Sequence, residues 1–302
     1  MSRLATRWGR VVATVAILAV LIWRVGAGPF LDGVRSVDGR ALGAAAIIAL
    51  LTTVCCAWRW TLVAGGLGAR LTLPAAVAAY YRSQFLNVTL PGGVVGDVHR
   101  GVSHGREVHD VGDGLRAVAW ERFAGQAVQT LITVALLLAL PSPVRSSVPL
   151  VALGLVVVTL VAVRLLRARS VRVPKLTRRA WLSVALASAL VVGGHTITFI
   201  IAARTVGTAA PLSQMLPIAL LVMTAMVLPS AGGWGPREGV AAWAFGAAGL
   251  GAQHGVATAV VFGVIVFVAS LPGAAVLAVA WFRDTRPERR RELPFPEEAV
   301  HA

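Results

Sequence analysis

The sequence predicts an all-α, polytopic helical membrane protein, and three observations carry that expectation. Of 302 residues, 57% are hydrophobic and only 14% charged, where a globular domain carries about a quarter charged. No Asp, Glu, Lys or Arg occurs in 11–23, 41–58, 123–144, 146–163, 180–203, 205–236 or 239–282. Most of these runs reach the roughly 20 apolar helical residues that a bilayer core demands, and none alternates as a barrel strand does.

The formal net charge of +15 would suggest nucleic acid in a soluble protein. Here the basic residues flank the apolar runs: Arg3, Arg7 and Arg10 at the start, seven in 164–179, and a group from Arg283 to Arg291. Placed this way they mark cytoplasmic loops and attract anionic head groups, so no nucleic-acid partner is expected. The adjacent Cys55 and Cys56 lie inside an apolar run and read as packing residues.

In chain order, full spans are expected at 9–27, 40–66, 118–140, 147–166, 180–203 and 255–281. Residues 9–27 follow a basic start, which also suits a signal peptide, but many later spans favour an uncleaved first helix. Two stretches resist a simple reading. The first, 74–113, has an apolar-aromatic part, a Pro-Gly loop, then a polar part rich in His and Asp. The second, 213–250, has an apolar part, a Gly-rich loop, then a piece too short to cross at about 1.5 Å per residue. Counting crossings from a cytoplasmic N-terminus, with 164–179 and the tail also inside, makes each stretch a broken-helix or re-entrant hairpin. They enter from opposite faces, as in a possible inverted repeat. Residues 1–282 form the transmembrane domain, and 283–302, rich in Pro, Arg and Glu, read as a disordered cytoplasmic tail.

The two loops resemble each other. One reads Leu90-Pro91-Gly92-Gly93 and continues to Asp97 and Arg100; the other reads Leu228-Pro229-Ser230-Ala231-Gly232-Gly233 and continues to Arg237 and Glu238. Pro breaks a helix and Gly lets a ligand approach the backbone. The freed N–H groups of the next half-helix then face the break and favour an anion. Irregular backbone at membrane depth is tolerated where it lines a cavity. A kink or surface turn is the alternative for either loop alone.

Glu121 and Arg122 open a long charge-free run, and Arg122, Gln126 and Gln129 fall on one helical face. Ionisable groups in spans face partners or an aqueous path. The expectation is that Asp97, Glu121 and Glu238 hold the arginines while Arg100, Arg122 and Arg237 meet an anionic head group, since the guanidinium fork matches phosphate. Mutual salt bridges without any ligand are the alternative. Tyr80, Tyr81, Arg82, Ser83, Gln84 and Asn87 precede the first loop and either line the same cavity or anchor an interfacial helix. His195 lies mid-span, where an interhelical hydrogen bond is favoured over a proton relay. His99, His104 and His109 are five residues apart and drift around a helix, so no metal site is expected. No P-loop pattern occurs, and no cofactor is expected.

Three runs then carry a family resemblance: Tyr81 to Arg100, Glu121-Arg122-Phe123-Ala124-Gly125, and Pro229 to Gly239. In that order they resemble the signatures of the flippase-like transmembrane domain of lysylphosphatidylglycerol synthases, also called the UPF0104 family, over about residues 10–282. This type of domain is associated, in full-length synthases, with moving an aminoacylated phospholipid between leaflets, and the resemblance implies movement of a lipid here. In full-length synthases a separate soluble domain makes the aminoacylated lipid; the chain stops at 302 after a short polar tail, so it is read as a stand-alone member lacking that domain and is not expected to be an enzyme. Trp234 and Pro236 depart from the smaller or aliphatic residues expected in the third signature.

The combined expectation is a bacterial inner-membrane protein, with both termini cytoplasmic, that translocates or binds an anionic phospholipid or polyprenyl-phosphate-linked lipid. Its site residues would be Asn87, Pro91, Gly92, Gly93, Asp97, Arg100, Glu121, Arg122, Gly232, Gly233, Arg237 and Glu238. The alternatives are a scaffold for envelope or glycolipid enzymes, and a membrane-embedded lipid-phosphate transferase using Asp97 or Glu121 as base.

Overall fold

The computed structural model describes residues 39–90, 93–140, 172–226 and 235–284, with isolated positions between 153 and 164, and side chains as far as 280. Regular structure among the described residues is entirely helical: α1 Gly39–Gly66, α2 Leu73–Thr89, α3 Val95–Glu107, α4 Val111–Ala139, α5 Arg178–Thr205, α6 Leu212–Ala225, α7 Pro236–Ala247 and α8 Ala252–Asp284. Four of these, α1, α4, α5 and α8 as far as Ala280, are long and apolar enough to cross a membrane. The expected spans at 9–27 and 147–166 fall outside the described residues, apart from those isolated positions, as does the tail beyond 284. The chain is a multi-pass helical membrane protein.

Stretch 74–113 folds as the α2–α3 pair. Thr72 is extended and Pro74 sits in the first turn of α2, where its missing N–H costs nothing. Helix α2 stops at Thr89, directly before Leu90-Pro91, and Gly93 adopts φ 64 on the way into α3. The two helices then pack so closely that a Cβ on Gly96 would strike the Ser83 carbonyl. Asp97 stands in the first turn of α3, at the positive end of the helix dipole.

Helix α4 begins at Val111, seven residues before the expected 118. Asp110 caps it, its carboxylate accepting from the Asp113 N–H at 2.9 Å. The cap lets the helix run through the polar residues ahead of the expected span. Stretch 213–250 likewise folds as a helical pair. Helix α6 ends at Ala225, and α7 starts after Gly235, at φ 101, with Pro236 in its first turn. The loop between them, including Gly232 and Gly233, lies outside the described residues, as do Pro91 and Gly92.

One apolar cluster joins α5, α6, α7 and α8 around Phe199, whose ring lies 6.4 Å from Phe245 and 5.8 Å from Phe262. A second joins α1, α2 and α4 around Trp60 and Tyr80. Alanine fills much of both cores, as expected where close van der Waals contact between small residues drives association in lipid. The charged residues of the first hairpin sit against the second cluster.

Candidate functional site

Five charged side chains from three helices converge beside the first hairpin. Arg59, in the C-terminal half of α1, donates from Nε to Oε1 of Glu121 at 2.9 Å and also pairs with it through Nη2. Its Nη1 reaches the Ser188 hydroxyl on α5 at 2.9 Å. The guanidinium fits because Gly125, one turn after Glu121, leaves the space a Cβ would occupy. The Tyr80 hydroxyl donates to the same Glu121 oxygen at 2.9 Å, and Arg100 Nη2 donates to Oε2 at 3.1 Å.

Asp97 forms the second acceptor centre. Its Oδ1 accepts from Ser83 at 3.0 Å, Arg100 at 3.0 Å and Arg122 at 2.8 Å, and its Oδ2 from Asn87 at 3.2 Å. Asn87 also accepts from the Gly96 N–H at 2.8 Å, so one amide side chain bridges α2 to the start of α3. Both carboxylates act only as acceptors and face arginines, which is the arrangement of ionised groups.

The arginines differ in what they expose. Arg100 is buried: its guanidinium carbon lies 4.4 Å from the Trp60 ring centre and 4.1 Å from that of Tyr80, a box of cation–π contacts. Arg122 is open, with its side chain 48% exposed. Among the described residues, its hydrogen bonding is the single Nη2 contact to Asp97.

Arg122 projects into a cavity of about 290 Å³ between α1, α2, α4, α5 and α8. Gln126 and Gln129 continue from it along α4, His195 and Ser188 come from α5, and Gln84 and Asn87 from α2. Apolar residues such as Val191, Ile265 and Val266 complete the wall. The helical stripe read from the sequence therefore lines one cavity. Tyr80 reaches the wall too, whereas Arg82 borders a second cavity of about 420 Å³ with Arg100 and His104. Of the histidines, His104 packs edge-on against Trp60 at 5.4 Å and makes a 2.9 Å contact to the Ala69 carbonyl.

Arg237 and Glu238 stand apart from this cluster. Glu238 is buried at the start of α7 and accepts the Gly235 N–H at 2.6 Å, which caps the helix. Arg237 folds back on it, Nε to Oε1 at 2.9 Å, and lies against Phe262 and Gly263 of α8. The expected cavity residues thus divide: Asn87, Asp97, Arg100, Glu121 and Arg122 come together, and Arg237 and Glu238 form a separate buried pair.

A family model described as the lysylphosphatidylglycerol synthase TM region matches residues 8–273. The chain belongs to that family. The matched segment contains every described helix but the end of α8, and all the charged residues of the cluster. Comparison with the curated proteins finds no match. Within this lysylphosphatidylglycerol synthase TM-region domain, Arg59 is the functional candidate that sequence reasoning passed over. It was legible as a single charge between Trp58 and Trp60, inside a span where a lone charge is costly.

Proposed function

We propose that this domain binds an anionic lipid by its head group and moves it between leaflets of the bacterial inner membrane, with both chain termini on the cytoplasmic side. The observation that carries the reading is Arg122. It is a guanidinium held at one end by Asp97 and open at the other to a polar cavity between apolar helices. A charge in that position has its donors directed at whatever enters, and phosphate matches the planar fork. The family membership is compatible with a flippase-like role.

The transferase alternative has less support. It requires a free base, and both Asp97 and Glu121 are tied up by arginines. The test is lipid movement in proteoliposomes, followed by chemical quenching of head-group-labelled anionic lipid from the outside. Wild type is expected to expose the inner-leaflet label at least 10-fold faster than Arg122→Gln. Equal rates, with both proteins folded, would overturn the proposal.

A further inference from the structure

The chemistry of the cavity wall says what kind of head group follows the phosphate, which deepens the function proposed above and rests on it. Arg59, Arg100 and Arg122 supply three fixed positive charges to the cluster, and Asp97 and Glu121 supply two negative ones. The excess is a single positive charge, and it sits where Arg122 opens into the cavity. One phosphodiester, with its one negative charge, neutralises that excess. A dianionic phosphomonoester leaves a surplus negative charge inside a low-dielectric wall.

Beyond Arg122 the described lining holds no Asp or Glu. Glu121 and Asp97 lie behind the arginines. What the wall offers instead are the carboxamides of Gln126 and Gln129, one and two turns further along α4, with the His195 imidazole opposite on α5. The Gln129 Nε2 is buried without a hydrogen-bond partner, a condition that costs free energy unless a ligand supplies an acceptor. Seven residues of helix separate Arg122 from Gln129, about 10 Å, the length of a phosphate plus a small polyol. The 290 Å³ volume falls just below the roughly 300 Å³ at which small-ligand sites begin, and so suits a head group rather than a whole lipid.

We infer that the cavity takes a lipid phosphodiester of single negative charge bearing a small, uncharged, hydroxylated head, and that it disfavours an aminoacylated, cationic head. Carboxamides pair with hydroxyls as donor and acceptor, whereas an ammonium group entering this wall meets amides and two arginines, and no carboxylate among the described lining residues.

The test is displacement of a fluorescent phosphatidylglycerol from the full, detergent-solubilised chain. The competitors are phosphatidylglycerol and phosphatidylinositol (hydroxylated monoanions), phosphatidic acid (a phosphomonoester), lysyl-phosphatidylglycerol (a cationic head) and soluble glycerophosphoglycerol. The two hydroxylated lipids are expected to compete at least 10-fold better than phosphatidic acid or the lysyl lipid, with all displacement lost in Arg122→Gln. Gln129→Leu should narrow that preference at least 3-fold while phosphatidic acid competes as before. If phosphatidic acid or the lysyl lipid competes equally well through Arg122, the head-group inference falls and the anionic-lipid function stands. Glycerophosphoglycerol competing as well as the lipid would make the ligand a soluble phosphodiester and overturn the inference. Absence of any Arg122-dependent binding would remove both.

Discussion

Arg59 on α1 and Glu121 on α4, 62 residues apart in sequence, form an ion pair with side chains only 5% and 0% exposed. The same carboxylate also holds Tyr80 and Arg100, so Glu121 ties α1, α2, α3 and α4 together. Removing one partner of a buried pair leaves the other uncompensated, typically at about 3–5 kcal/mol. Glu121→Leu takes a carboxylate from two arginines at once, leaving Arg59 with the neutral Ser188 hydroxyl and Arg100 with Asp97, whereas Arg59→Met leaves Glu121 with Arg100 and Tyr80. Thermal unfolding in detergent should therefore show the glutamate substitution to be the more damaging. Equal effects would mean that Arg100 takes no support from Glu121.

The α2–α3 hairpin depends on contact between backbones at Gly96 and Ser83. Gly96→Ala should cost about 1–3 kcal/mol by overpacking and should loosen the hydrogen bonds that hold Asp97. Gly193→Ala, where a Cβ meets nothing within 4 Å, is expected to be neutral or slightly stabilising because alanine favours helix. Melting temperatures of the two variants provide the comparison, and similar losses would argue against a hairpin packed this tightly.

Cys56 reports on the cavity without disturbing its charges, since its thiol lies on the wall 3.9 Å from an Arg59 nitrogen. In a Cys55→Ser background, anionic and cationic methanethiosulfonates can be compared at this one position. The excess positive charge should favour the anionic reagent, and Arg122→Gln should reduce the anionic-to-cationic rate ratio several-fold. A ratio that ignores the substitution would contradict the charge balance derived for the cavity.

Arg237 should behave as a structural residue. It is buried, paired with a helix-capping glutamate and seated in the space left by Gly263. Arg237→Gln is expected to lower the melting temperature, and any loss of lipid binding should be recovered under conditions that restore the fold. Loss of binding at unchanged stability would instead place Arg237 at a ligand.

Periodicity and breakers made much of this legible in the sequence. The four described spans follow from charge-free runs, and the end of α2 follows from Leu90-Pro91, because proline removes a backbone donor and pushes the residue before it out of the helical region. The Arg122, Gln126 and Gln129 stripe follows from helical spacing alone. The remainder needed tertiary structure. The Trp60 and Tyr80 box around Arg100 joins residues from three helices, and no local pattern announces it. Arg237 and Glu238 are sequence neighbours, which on a regular helix do not face each other. They meet because Glu238 turns back to cap Gly235 and brings its carboxylate under the arginine. Helix α4 began early because the Asp110 cap makes the polar residues after it helical.

The measurement that tests the head-group site most directly is native mass spectrometry of gently extracted wild type and Arg122→Gln, with released lipids identified. Wild type is expected to retain an anionic phospholipid or polyprenyl-phosphate-linked lipid, and the variant to lose it while remaining folded. Retention of the same lipid by both proteins, or by neither, would contradict a site built on Arg122.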